Sequence, residues 1–111
     1  MASRRPSSVI LVALPESAGS ALYGMLDVLL AAGNLWQLLA HEGEERRCFD
    51  VRIAGPTRRS FACGNGIPVR PDAGIDEDPE AQIVIVPEIW LGPQDSLAGR
   101  HPDVVDWLRR R

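Results

Sequence analysis

Two uninterrupted apolar runs constrain this chain more than any other feature. Residues 8–14, built on Val9-Ile10-Leu11-Val12-Ala13-Leu14, and residues 82–86, built on Ile83-Val84-Ile85-Val86, carry no polar alternation. A strand with one wet face alternates apolar and polar side chains, whereas a strand covered on both faces does not. Both runs therefore read as buried parallel strands, side by side in the middle of one sheet. Parallel neighbours need a long crossover connection. The periodicity of residues 18–40 supplies a helix to cross between the two runs.

Along that helix Leu22, Met25, Leu26, Leu29, Ala32, Trp36 and Leu39 form one apolar stripe, and Ser20, Asp27, Asn34 and His41 recur as a polar one. Val28, Leu30, Leu35 and Leu38 lie between the stripes, so more than one face is apolar. A helix resting on a sheet needs a single apolar face. The surplus implies a second burial partner, and Val28, Leu35 and Leu38 are the candidate dimer-face residues.

The remaining segments punctuate this frame. Gly43 is placed to end the helix. Residues 48–54 alternate, with Phe49, Val51 and Ile53 opposite Asp50 and Arg52, as in a half-exposed strand near a sheet edge. Gly64-Asn65-Gly66 predicts a hairpin turn between extended pieces at 60–63 and 67–70, with Pro68 keeping the second at an edge. Residues 71–80 read as an acidic connection with one helical turn near 76–78. Residues 103–111 begin an amphipathic helix with Pro102 in its first turn. Alternation of strands and helices in this order gives an α/β architecture, a three-layer parallel sheet of flavodoxin-like form. The final helix is expected to lead to a further strand, so the chain reads as the first part of a larger layer, with residues 1–7 a mobile leader and 8–111 one domain portion.

Composition narrows the partners. The chain has 111 residues, 45% hydrophobic and 24% charged, which suits one globular domain. Its net charge of −3 gives no electrostatic reason to bind nucleic acid or an anionic membrane directly. The apolar run after Arg4 and Arg5 is short for a secretory signal and is ended by Pro15 and Glu16. No stretch approaches the ~20 apolar residues of a membrane span. Cys48 and Cys63 form no C-x-x-C pair and lie far in sequence from His41 and His101, so neither a metal nor another cofactor is expected. A reduced, cytoplasmic setting is the simpler reading.

The ordered set of local strings resembles the ThiJ/PfpI family, and within it the domains that precede the helix-turn-helix module of AraC-type regulators. The strings are Val9-Ile10-Leu11-Val12-Ala13-Leu14-Pro15, Leu22-Tyr23-Gly24-Met25-Leu26-Asp27-Val28-Leu29, Asn34, Phe49-Asp50-Val51-Arg52-Ile53-Ala54, Gly66-Ile67-Pro68-Val69-Arg70-Pro71-Asp72-Ala73 and Ile83-Val84-Ile85-Val86-Pro87-Glu88. The resemblance implies a class I glutamine-amidotransferase-like fold, a homodimer, and a pocket at the carboxyl ends of the strands. It also implies a cytoplasmic transcription regulator whose DNA contacts belong to a module absent from this chain. The alternative it leaves open is the N-terminal half of a hydratase, glyoxalase or amidase-like enzyme. Family enzymes carry a nucleophilic cysteine at a strand-to-helix elbow, and neither Cys48 nor Cys63 matches that place. Ala21 stands where these regulators often have an acidic residue, and Glu88-Ile89-Trp90 where many relatives have glycines. No catalytic residue is therefore assigned.

Four residues are pocket candidates for a small-molecule effector. Glu16 follows the first central strand, and Glu88 follows the second. Tyr23 and Trp90 could wall an apolar ligand site. Each also has a plainer reading: Glu16 a solvated turn residue, Glu88 a loop carboxylate, the two aromatics packing residues. Asp27, Asn34 and His41 sit two turns apart and read as a solvated face, and Cys63 as a buried thiol. Gly64-Asn65-Gly66 lacks the strand-to-helix setting of a phosphate loop, and Arg109–Arg111 suit the end of a helix.

Overall fold

A computed structural model describes residues 5–40, 43 and 46–111. Strand β1 spans Ser7–Val12 and is followed by helices α1 (Gly19–Ala31) and α2 (Leu35–Ala40). Next come β2 (Phe49–Gly55), β3 (Phe61–Ala62), β4 (Pro68–Val69), β5 (Ala73–Gly74), β6 (Ile83–Ile85) and α3 (Pro102–Arg109). The main sheet has the order β5-β2-β1-β6, and all of its pairings are parallel. This is the expected α/β fold with a flavodoxin-like sheet.

β1 is the axis of the molecule because its residues satisfy both faces. Val9, Leu11 and Ala13 join Leu22, Ile53, Cys63 and Val69 in a core beneath α1. Ile10, Val12 and Leu14 point the other way, into a core with Ala54, Ile75, Val104 and Trp107 beneath α3. The period of two along a strand produces this division. The two apolar runs do lie side by side and parallel, with Val9, Ile10 and Leu11 opposite Ile83, Val84 and Ile85.

The expected crossover differs. α1 carries the chain from β1 to β2, on the opposite side from β6, so the helix does not connect the two runs. β6 is also less enclosed than its sequence implies: it pairs with β1 alone among the described strands, and Ile83 and Val86 are exposed. An unbroken apolar run reports what a strand can bury, and among the described strands only one edge of it is paired. β2 has the half-exposed pattern expected, since the two-residue β5 pairs only with Ala54 and Gly55 at its end. β5 itself was unreadable, being two residues inside an acidic stretch, while the turn after it (Ile75–Glu77) lies close to the expected one. The hairpin forms as β3 and β4 around Gly64–Gly66, with Ala62 opposite Pro68.

The single long helix of the sequence reading is broken. Ala32 turns extended, and Gly33 takes a φ of +87°, a region open to glycine. Its carbonyl accepts the Arg46 N–H at 2.7 Å, and a side chain at Gly33 would run into the Arg46 carbonyl and the Cys48 sulfur. Beyond the break the apolar stripe changes face: Leu22 is buried, whereas Leu39 is exposed. The polar line is interrupted at the same point, and His41 lies outside the described residues, as do residues 1–4 of the expected leader. Gly33→Ala should therefore destabilise the chain by more than the ~1 kcal/mol of a left-handed alanine, because the Arg46 carbonyl must also move. Thermal unfolding of the variant checks this, and an unchanged midpoint would contradict the geometry. No helix among the described residues is long and apolar enough to cross a membrane.

Candidate functional site

The chain leaves β1 toward β2 and later returns to β1's other side as β6, so the crevice at the carboxyl ends of β1 and β6 is a topological switch point. Open α/β sheets bind ligands at such points. Three segments converge there. Ala18 donates its N–H to the Glu88 carbonyl at 2.9 Å, and Trp90 donates to the Glu16 carbonyl at 2.8 Å, with Ser17 and Ile89 bridged antiparallel. The hairpin turn docks on the same place, Gly64 N–H donating to the Ser17 carbonyl at 2.9 Å. Gly64 is needed here, since a β-carbon would sit 2.9 Å from that carbonyl. Ser17 is fully buried, and its hydroxyl accepts the Leu14 N–H at 2.9 Å, closing the turn.

Glu16 is the centre of the site and is not the solvated turn residue that its position suggests. Its side chain is 13% exposed. His101 Nε2 lies 2.8 Å from one carboxylate oxygen and 3.1 Å from the other, and Arg100 Nη1 donates to the second at 3.1 Å. A carboxylate offers only acceptors, so Nε2 carries the proton of that bond. Burial opposes the Glu16 charge, but the His101 hydrogen bond, a backbone hydrogen bond and Arg100 outweigh it, leaving the carboxyl below its ordinary value. Arg100 also faces Asp95 at 3.8 Å, and Asp95 in turn accepts the Gly92 N–H at 2.9 Å. Glu16 thus anchors both ends of the exposed 91–99 loop, through its carbonyl at Trp90 and its carboxylate at Arg100 and His101. His101 holds a left-handed φ of 50° just before α3, a conformation that costs a non-glycine residue some energy.

The other candidates are placed separately. Glu88 is exposed and contributes its backbone carbonyl; among the described residues its carboxylate makes no ion pair. Trp90 is half exposed and lies beside Gly64. Tyr23 is on the α1 face, its hydroxyl donating to the Pro68 carbonyl at 2.9 Å, and burial with the neighbouring Cys63 pushes its phenol upward. That bond ties α1 to the hairpin, which is a packing role. Both cysteines are free thiols, Cys63 buried and Cys48 half buried. Val28, Leu35 and Leu38 are exposed, along with Met25, Leu30 and Leu39. Arg100, His101 and Ser17 are not among the residues that the sequence points to. Ser17 had a local signal, a hydroxyl in a turn after a strand, but Arg100 and His101 meet Glu16 across more than eighty residues and had none.

The sequence matches no protein-family model and no curated protein. A solved protein from Vibrio parahaemolyticus, described as a transcriptional regulator, is similar in structure, with a TM-score of 0.65 and 22% identity. The likeness is one of fold. It covers 95% of this chain and 50% of the other, so the chain spans about half the length of that protein.

Proposed function

We propose that this chain is the N-terminal ligand-sensing and dimerisation portion of an AraC-type transcription regulator, with no catalytic role of its own. The observation that carries the reading is the exposed apolar side of α1 and α2, where Val28 is 67%, Leu35 49% and Leu38 54% exposed. Apolar surface of that kind is costly in water and marks an association face. A second copy is the natural occupant, since a two-fold axis lets one patch cover its equal. The description of the Vibrio parahaemolyticus protein as a regulator supports the same class, as does the ThiJ/PfpI-like order of the sequence strings. Among the described residues Glu16 is held by Arg100 and His101, and Cys63 is buried next to the hairpin turn.

Sedimentation equilibrium tests the reading. A dimer is expected at micromolar concentration, and Leu35→Glu with Leu38→Glu should weaken it by about a hundredfold or more. A wild-type chain that stays monomeric at the highest soluble concentration would count decisively against it. The alternative reading, the N-terminal half of a ThiJ/PfpI-type enzyme, draws on the part-buried Glu16 at the switch point and would need a nucleophile supplied from outside these residues.

A further inference from the structure

On the α3 face a groove opens where β1 and β6 end. Val12, Leu14, Val86 and Ile89 line its inner side, with Leu97 and Val105 at the rim, and its volume is about 150 Å³. At ~30 Å³ per water-sized unit, that accommodates a body of about five carbons. The rim is open to solvent, Leu97 being 37% and Val105 40% exposed. Arg100 and His101 are the polar residues in its wall.

The two polar residues are not equally committed. The His101 ring nitrogen is engaged by both Glu16 oxygens. Arg100 uses Nη1 on Glu16, but Nη2 stands 3.8 Å from Asp95, beyond hydrogen-bond length. A guanidinium has five N–H donors in a fork suited to carboxylates, and this one is 41% exposed. An apolar slot with an incompletely used guanidinium at its mouth is complementary to an amphipathic anion.

We propose that this groove binds a small monocarboxylate, its aliphatic or aromatic body against the apolar walls and its carboxylate on the outer edge of Arg100. Asp95 faces the same edge and opposes the ligand, so it sets an upper limit on affinity. The inference deepens the sensing reading by naming the effector class and depends on that reading only for what binding would signal.

The test is a methyl-resolved NMR titration of the full chain at neutral pH with hexanoate, hexan-1-ol and hexylamine. Hexanoate is expected to shift the Leu97 and Val105 methyl signals saturably, with hexan-1-ol about tenfold weaker and hexylamine weaker still. Arg100→Met should cost hexanoate about tenfold more than it costs hexan-1-ol. Asp95→Asn, which leaves Glu16 and Arg100 in place, should tighten hexanoate about two- to threefold. Val105→Trp should fill the slot and abolish binding of both. Equal affinity for hexanoate and hexan-1-ol, no effect of Asp95→Asn, or no saturable shift would overturn the proposal. Sedimentation separates the two readings: a dimer that ignores hexanoate refutes the groove alone, whereas a monomer that binds it sustains the groove and refutes the dimer.

Discussion

Trp107→Ala is expected to lower the free energy of unfolding by about 3–5 kcal/mol, the range for deleting a buried tryptophan. Trp107 is fully buried and is the largest residue in the core between β1 and α3. Its indole N–H donates to the Pro79 carbonyl at 3.1 Å, and the Arg111 guanidinium lies 4.7 Å above its ring. The same Arg111 pairs with Asp78 at 2.6 Å, so one side chain ties the helix end to the turn before β6. Removing the ring opens a cavity and leaves the Pro79 carbonyl without a donor. Trp107→Phe should recover most of the packing and still cost about 1–3 kcal/mol for that unpaired carbonyl. Urea titrations followed by circular dichroism give both values. A loss below about 1 kcal/mol for the alanine variant would mean that α3 does not pack on the sheet, since single domains hold only ~5–15 kcal/mol in all.

What was readable in advance followed from periods. β1 declared two buried faces, and its pairing with β6 followed from both runs lacking alternation; the half-exposed pattern of β2 followed from Asp50 and Arg52 facing away from Phe49, Val51 and Ile53, although β5 lies outside it. What stayed hidden depends on contacts at long separation. The break at Gly33 is invisible to helical spacing, because Leu35, Leu38 and Leu39 continue an apolar rhythm while the Arg46 backbone occupies the space that a side chain at Gly33 would need. That β6 pairs on one edge alone among the described strands cannot be told from composition. Glu16 is a pocket candidate from its place after β1, yet its partners stand at the far end of the chain, and no local pattern links a turn carboxylate to an Arg-His pair before a proline.

Glu16→Gln is expected to cost about 1–3 kcal/mol at neutral pH, the range for a charge-assisted bond in a part-buried setting replaced by a weaker one. It should also remove part of the acid sensitivity of the fold. The Glu16 carboxyl lies below its ordinary value in the folded chain, so the unfolded chain binds that proton more readily. Stability from this group is therefore fully present above the ordinary carboxylate range and is lost as pH falls through that range and then through the lower folded value. The wild-type and glutamine curves should converge toward acid and separate toward neutrality. Partners bearing on the group are Arg100, His101 and, through Arg100, Asp95. Because the carboxylate holds one end of the 91–99 loop, hydrogen exchange there should accelerate in the variant while the amides of β1 change only with global stability. Curves that run parallel from neutrality into acid would mean that Arg100 and His101 lend the carboxylate nothing, and the loop would then have to be held by the Trp90 bond alone.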